Sequence, residues 1–346
     1  MIQSFAHLSP LPFETCWTSP ANIAFVKYWG KKGHQLPANP SVSLTLKECV
    51  TTSKVTFLAG EKLSVELNLE GTRKDSFGIK IENYLRSLET MIPWVKNLKV
   101  KIDTSNTFPH GAGIASSASG LSAFALALTD YLYFMKPDSD PALFHRQASF
   151  LARLASGSAC RSVYGGFVTW GMSHLEGSSD EYACPLEVHP ELSHLLDSVV
   201  VVSDQEKKVS SREGHARLNE HFFAEARYAQ AKNHFRKAID ALKAGDMEVV
   251  GSILEAEALS LHAMMMTSPD SFTLLKPNSL LLMDMVRTFR EETKLPLYFT
   301  LDAGPNLHLI YPYSHRNKIE TFINNELTPL SQRIITDSRG EGPQKC

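Results

Sequence analysis

The sequence predicts an α+β protein of two domains, and three observations carry that reading. The chain has 346 residues, about two domains' worth at roughly 150 residues each. Strand-like and helix-like segments are intermixed without the regular β-α alternation of a doubly wound sheet. A polar stretch at 171–195, with Gly, Ser and Pro, interrupts the periodic pattern. It puts the boundary between an N-terminal domain, 1–193, and a C-terminal domain, 194–346. Hydrophobic residues make up 43% and charged residues 21%, which supplies ordinary cores and excludes a disordered chain.

Taken in order, Asn22 to Val26 reads as a buried strand, and Leu36 to Leu46 as a polar turn entering an alternating one. β-branched residues alternate on both sides of Ala59-Gly60-Glu61, which suggests a hairpin over 50–68. Phe77, Ile79, Ile81, Tyr84, Leu85 and Leu88 recur at helical spacing over 76–90. Residues 97–103 alternate as a strand. A Gly/Ser/Ala loop follows at 110–120, then a helix to about Tyr133 and another over 142–156. Phe167 to Trp170 is a short strand and Val199 to Ser203 a buried one. Residues 216–243 are helical, stopped by Gly245, with Asp246 capping the next helix. A helix near 279–292 precedes strands Leu297 to Leu301 and Leu307 to Tyr311, joined by the turn Asp302-Ala303-Gly304-Pro305-Asn306.

Lys plus Arg is 35 and Asp plus Glu is 37, a net charge of -2, which disfavours a nucleic-acid or polybasic membrane-surface partner. Cys16, Cys49, Cys160, Cys184 and Cys346 are odd in number and widely spaced, without C-x-x-C, so five free thiols in a reducing cytoplasm are expected. The longest apolar stretch, Leu121 to Leu128, falls far short of the roughly 18 residues of a spanning helix, and the first residues lack a signal-peptide pattern. The His residues are scattered, so no dedicated metal cage is expected.

Several segments carry chemistry. His110 to Gly120 is rich in small residues, follows a strand and opens a helix, so its amides and the hydroxyls of Ser116, Ser117 and Ser119 suit a nucleotide phosphate. It is neither a Walker A loop, having no Lys, nor a dinucleotide fingerprint, having Ser116 at the third glycine position. Tight helix packing explains the same composition. Ser156-Gly157-Ser158 with Arg161 makes a second anion site or a helix end with a surface arginine. Lys27, Tyr28, Lys31 and Lys32 gather at a strand end, suited to a polyanion or simply a solvated turn. Asp302 is placed to orient a hydroxyl in phosphoryl transfer, or to make an Asx turn. Ser211-Arg212 is a further serine-arginine pair or a solvated loop. Met264-Met265-Met266 reads as core filling.

Five of these segments, in this order, resemble the diphosphomevalonate decarboxylase family, a branch of the GHMP small-molecule kinase superfamily. They are Asn22-Ile-Ala-Phe-Val-Lys27-Tyr-Trp-Gly-Lys31, Leu36-Pro-x-Asn39-x-Ser41-x-Ser43-x-Thr-Leu46, Asn106-Thr-Phe-Pro109 with Ala112 to Gly120, Ser156-Gly-Ser-Ala-Cys-Arg161, and Asp302-Ala-Gly-Pro-Asn306. Together they cover most of the chain, from about residue 18 to residue 311. The resemblance implies a two-domain GHMP kinase fold, with a ribosomal protein S5 domain 2-like N-terminal domain, a GHMP-type C-terminal α+β domain and the active site between them. It also implies ATP and Mg²⁺, a phosphorylated mevalonate substrate and a homodimer. The implied reaction phosphorylates the C3 hydroxyl of mevalonate 5-diphosphate, after which phosphate and CO2 leave to give isopentenyl diphosphate.

By position, the resemblance implies that Asp302, Lys27 and Arg161 are catalytic. Asp302 orients or deprotonates the C3 hydroxyl, Lys27 lies beside the transferred group and Arg161 binds the substrate carboxylate. Asn106, Gly113, Ala115, Ser116 and Ser117 hold ATP, with Ser117 also on Mg²⁺. Tyr28, Trp29, Gly30, Lys31, Ser156, Gly157, Ser158, Ser211 and Arg212 join Arg161 around the substrate. Two positions depart from the family pattern: Pro40 stands where many members have a small polar residue, and His215 where methionine is common. Both fall near the implied pocket. A mevalonate 5-phosphate decarboxylase, or a GHMP kinase that phosphorylates without decarboxylating, is the alternative.

Overall fold

The structure is a computed structural model, described here for residues 11–109, 116–205, 214–215 and 221–346. Gly113, Ala115, Ser211 and Arg212 lie outside the described residues.

The N-terminal domain is a mixed sheet carrying helices. Strand β1 is Phe13–Val26, β2 and β3 are the short pair Lys31–Lys32 and Leu36–Pro37, and β4 is Ser41–Ala59. Then come β5 (Ser64–Leu69), β6 (Thr72–Arg73), helix α1 (Asp75–Ser87) and β7 (Leu98–Asn106). Helices α2 (Ser116–Met135) and α3 (Phe144–Ala155), a 3₁₀ segment Gly157–Val163, and strands β8 (Phe167–Trp170) and β9 (Ala183–Leu186) complete it. Strand β1 changes character along its length. Residues 13–18 alternate in burial, whereas 19–26 are buried throughout. An alternating strand has one wet face, and a continuous buried run has both faces covered. One face meets Trp17, Val55, Phe57, Phe124, Tyr131 and Leu151 in the N-terminal core. The other carries Ile23, Phe25, Leu44 and Leu46 against Val199, Val201, Phe235, Ile253 and Ile310 of the C-terminal domain.

The expected hairpin over 50–68 is not formed. Strand β7 lies between β4 and β5, antiparallel to the first and parallel to the second. The reason lies in α1, which connects β5 to β7 and makes the crossover a parallel pair requires. Period-2 alternation establishes a strand but does not name its partner.

The C-terminal domain begins with β10 (Leu195–Val201) and continues through α4 (Ala224–Ala244), α5 (Met247–Met266), α6 (Pro277–Thr293), β11 (Tyr298–Thr300), β12 (Leu307–Pro312), α7 (Arg316–Phe322) and β13 (Arg333–Ser338). Gly245 ends α4 in the left-handed conformation and the Asp246 side chain accepts from the Val249 amide, the stop and cap expected there. The four strands run β11-β12-β10-β13. Their outer face packs on Leu282, Val286, Ile319 and Phe322 of α6 and α7. Helix α5 is long and apolar enough to cross a membrane by length and composition, although its acidic residues break the continuous apolar run in the sequence. Most of that apolar stretch is buried inside the protein, and it carries the ion-paired Glu255 and Glu257.

The tail returns to the first domain. Strand β14 (Gln344–Lys345) pairs with Trp17 and Thr18 on the edge of β1. Five free thiols are therefore not what the structure contains. Cys16 and Cys346 form a disulfide, while Cys49, Cys160 and Cys184 are free. Wide spacing in sequence hid the pair, because sheet pairing of the chain ends brings residues 330 apart together.

Candidate active site

Lys27 follows the last residue of β1 and Asp302 opens the turn between β11 and β12. Each strand end is fixed by side chains. Asn39 donates its amide to the Lys27 carbonyl at 3.0 Å and the Pro40 carbonyl at 2.8 Å. Glu257 Oε2 accepts from the Lys27 backbone N–H at 2.8 Å. Across the turn, Asn306 Oδ1 accepts from the amides of Val202 and Ser203 at 2.8 and 3.0 Å, tying β12 to the end of β10. The Asp302 carbonyl accepts from Gly304 N–H at 2.7 Å and lies 3.1 Å from His262 Nε2.

These supports bring Lys27 Nζ to 3.0 Å from Asp302 Oδ1, an ion pair made between the two domains. Lys27 is 2% exposed and Asp302 27%, so the carboxylate faces outward from a buried ammonium. Burial pushes the Lys27 amine below its ordinary range, and the Asp302 charge opposes that shift. Arg161 is equally buried, and burial lowers it too. Its Nε is 3.0 Å from Ser43 Oγ and 3.3 Å from Asn22 Oδ1, and Nη1 is 2.8 Å from Ser41 Oγ. Asn22 also donates to Ser162 Oγ at 2.8 Å and to the Ser158 carbonyl at 3.3 Å. One asparagine therefore orients both the arginine and the serine segment before it. The Arg161 charge adds to the depression of the Lys27 amine, and the protonated forms of both are favoured by Asp302. The nearby Glu257 is already paired with Arg227, at 2.5 and 3.0 Å, and hydrogen-bonded with His234 at 2.7 Å.

Tyr28 continues from Lys27 into a pocket of aromatic rings. Its ring meets Trp170 at 4.7 Å and His215 at 4.5 Å between centroids. Its hydroxyl is buried without a hydrogen-bond partner among the described residues, and burial raises its pKa. A Cβ on Gly157 would come within 2.6 Å of that hydroxyl and 2.8 Å of the Trp170 ring, so glycine is what lets the serine segment approach. Trp29 is taken up by Ala224, Leu261, Met265 and Ala303, which makes it a support for the turn. Gly30 has φ +99°, and a Cβ there would collide with the Tyr228 hydroxyl. Lys31 sits in β2, opposite Pro37.

Asn106, Ser116 and Ser117 form a second group at the start of α2. Thr51 donates its hydroxyl to Asn106 Oδ1 at 2.7 Å and lies 2.6 Å from Ser119 Oγ, locking the end of β7 to the first turn of the helix. Ser116 is half-buried and Ser117 exposed, so both stand at the open first turn of α2. That is the arrangement a phosphate and its metal ion need, with the helix end adding favourable partial charge. The first-turn hydroxyls and the outward Asp302 carboxylate are oxygen donors of the kind Mg²⁺ takes.

Sequence reasoning named Lys27, Tyr28, Arg161, Gly157 and Asp302, and the structure brings these together with Ser158. It missed the roles of Asn22, Asn39, Ser41 and Ser43, which stand inside the quoted motifs, and of Glu257, Arg227 and His262. Glu257 had a signal, shared with Glu255: both are carboxylates within the apolar run of a largely apolar helix.

Comparison with known proteins gives consistent matches. Residues 19–183 match a family model described as the diphosphomevalonate decarboxylase-like N-terminal domain, and residues 198–344 one described as the mevalonate 5-diphosphate decarboxylase C-terminal domain. Diphosphomevalonate decarboxylase of Candida albicans is 30% identical over 95% of this chain and 96% of its own length. The crystal structure of mevalonate diphosphate decarboxylase from Staphylococcus aureus superposes with a TM-score of 0.84 at 31% identity, covering 97% of this chain and 98% of that one. A structure described as MDDEF in complex with MVAPP, AMPPCP and magnesium superposes with a TM-score of 0.85 at 30% identity, covering 97% and 99%.

Proposed function

The chain belongs to the diphosphomevalonate decarboxylase family, and from that premise we propose how its own residues divide the reaction. The enzyme decarboxylates mevalonate 5-diphosphate at the expense of ATP, with Mg²⁺. The C3 hydroxyl takes the γ-phosphoryl group of ATP. The C3–O bond then breaks with the C1–C2 bond, releasing phosphate and CO2 and leaving the C2–C3 alkene of isopentenyl diphosphate.

The observation that carries the assignment is two buried cations, Lys27 and Arg161, beside one outward carboxylate, Asp302. A site with that excess of positive charge suits a substrate with an acid at one end and phosphate at the other. Asp302 accepts the hydrogen bond, then the proton, of the C3 hydroxyl, and the Lys27 ammonium at 3.0 Å holds the carboxylate in place for that task. Lys27 also neutralises charge on the transferred group. Arg161 holds the substrate carboxylate. Very tight binding there would oppose CO2 loss, so its fixed hydrogen bonds serve orientation, and departure of the C3 phosphate drives decarboxylation. Tyr28, Trp29, Gly30, Lys31, Ser156, Gly157, Ser158, Ser211 and Arg212 surround the diphosphate end. Asn106, Gly113, Ala115, Ser116 and Ser117 hold ATP. Mg²⁺, when bound with ATP, neutralises the phosphate charge, and Ser117 is its ligand from this chain.

A homodimer, a cytoplasmic location and N- and C-terminal domains of 1–193 and 194–346 belong to the same proposal. The family resemblance supports it, and the free Cys49, Cys160 and Cys184, unlike the bonded Cys16 and Cys346, fit that location. A near-neutral charge supports the absence of nucleic-acid and membrane partners.

The test incubates the enzyme with Mg-ATP and, separately, mevalonate, its 5-phosphate and its 5-diphosphate, measuring ADP, phosphate and CO2. Equal yields of all three from the 5-diphosphate are expected. ADP without CO2 would make it a kinase, and turnover of the 5-phosphate alone would move the substrate. Asp302→Asn is expected to lose about 10³-fold or more in kcat while still binding ATP; a largely active variant would overturn the role of Asp302.

A further inference from the structure

Resting on that reading of the Tyr28–Lys31 turn, we propose that His215 is a positioning residue, which holds the turn in its diphosphate-binding shape by accepting the Gly30 amide proton between the rings of Tyr28 and Trp29.

Gly30 N–H points at His215 Nδ1 at 3.0 Å. The imidazole lies with its centroid 4.5 Å from that of Tyr28 and 4.4 Å from that of Trp29. It is 7% exposed, so the acceptor is not shared with bulk water. Its neighbour Gly214 is equally constrained, because a Cβ there would sit 2.6 Å from the Trp29 ring. From the other side, Tyr228 of α4 packs against Gly30, and Trp170 packs against Tyr28. Among the described residues, the C-terminal domain thus clamps the turn through the Tyr228 and His215 side chains, and His215 takes a backbone proton.

An acceptor at Nδ1 requires the neutral ring with its proton on Nε2. Burial favours that form strongly, as does the nearby Lys31 charge. A methionine or phenylalanine could fill the same space between the rings but would leave the Gly30 N–H buried without a partner. What depends on the clamp is the direction of the Tyr28 hydroxyl, buried and unpartnered among the described residues, and of the chain leading to Lys31.

Two variants separate the hydrogen bond from the ring. His215→Phe keeps an aromatic ring and removes the acceptor. His215→Asn keeps an oxygen near the Nδ1 position and removes the ring. His215→Phe is expected to raise KM for mevalonate 5-diphosphate about three- to tenfold, with KM for ATP and kcat within about twofold, and His215→Asn to recover most of the loss. Unchanged KM in His215→Phe, or an equal loss for ATP and substrate, overturns the proposal. Nitrogen NMR of the wild-type enzyme with labelled histidine gives a check independent of any variant: His215 should show an unprotonated Nδ1 at pH 7, and a protonated Nδ1 overturns the proposal. Wild-type turnover is measured alongside. If the wild type releases CO2 from the 5-diphosphate and the variants behave like it, the positioning role fails and the assigned reaction stands.

Discussion

Lys27 shows how much a residue's surroundings change its chemistry. An exposed lysine near an aspartate forms a surface ion pair of little consequence, whereas this one is 2% exposed and its partner spans the domain interface. Burial disfavours the ammonium and lowers the pKa, while Asp302 pulls it back. As pH rises, Lys27 loses its proton before a lysine at 10.5 would, and the site loses a positive charge. The kcat profile is therefore expected to fall on an alkaline limb below pH 10.5. Lys27→Arg, whatever its cost in rate, is expected to shift that limb upward, because a guanidinium keeps its proton. A variant with an unchanged limb would assign the titration to another group. Arg161 is held by three side-chain oxygens, so its orientation, unlike its charge, is set by the chain.

At the scale of elements, α5 carries the most consequential exception to its own pattern. The helix is apolar enough to resemble a membrane span, yet Glu257 is fully buried in it, between Arg227 and His234 of α4 and the backbone of Lys27. Removing one partner of such a pair leaves the other charge stranded, at about 3–5 kcal/mol, whereas replacing both with apolar groups is often near neutral. Glu257→Ala is accordingly expected to lower stability by about 3–5 kcal/mol, and the double replacement Glu257→Met with Arg227→Met by clearly less. Denaturant midpoints compare them, and additive losses would refute a coupled pair. This element also shows where sequence reading stops. Helical spacing found α1, α4 and α6 because one face of each is polar, and α5 blurs that contrast. Alternation marks β4, β5 and β7, but pairing depends on α1 carrying the chain across, so the hairpin expected over 50–68 does not form. The site was legible where motifs hold it, as at Lys27, Arg161 and Asp302. It was illegible at Glu257, Tyr228 and His262, whose roles arise only when helices of the second domain close on the first.

For the whole molecule, the question is what keeps two domains in the register the site requires. Part of the answer is the shared core of Ile23, Phe25 and Leu44 with Val199, Phe235 and Ile310. The rest is the tail, which leaves β13 and crosses back to the first domain. Asp337 accepts from the backbone amides of Lys47, Glu48 and Cys49, each at 2.8 Å, pinning the end of β13 to β4. Gly340 then bonds Thr45, β14 covers the edge of β1, and Lys345 Nζ meets Asp130 at 2.7 Å. The Cys16–Cys346 disulfide is the last link, and a reducing cytoplasm would keep it open. The non-covalent contacts close the same path without it. Deleting residues 339–346 is therefore expected to lower the melting temperature and to promote association, because a bare edge strand invites pairing with another chain. Cys346→Ser in reductant is expected to match the reduced wild type, and oxidation is expected to stabilise only the wild type, by about 2–4 kcal/mol for a long closed loop. If the deletion melts with the full chain under reducing conditions, the tail contributes through the disulfide alone and not as a strap between the domains.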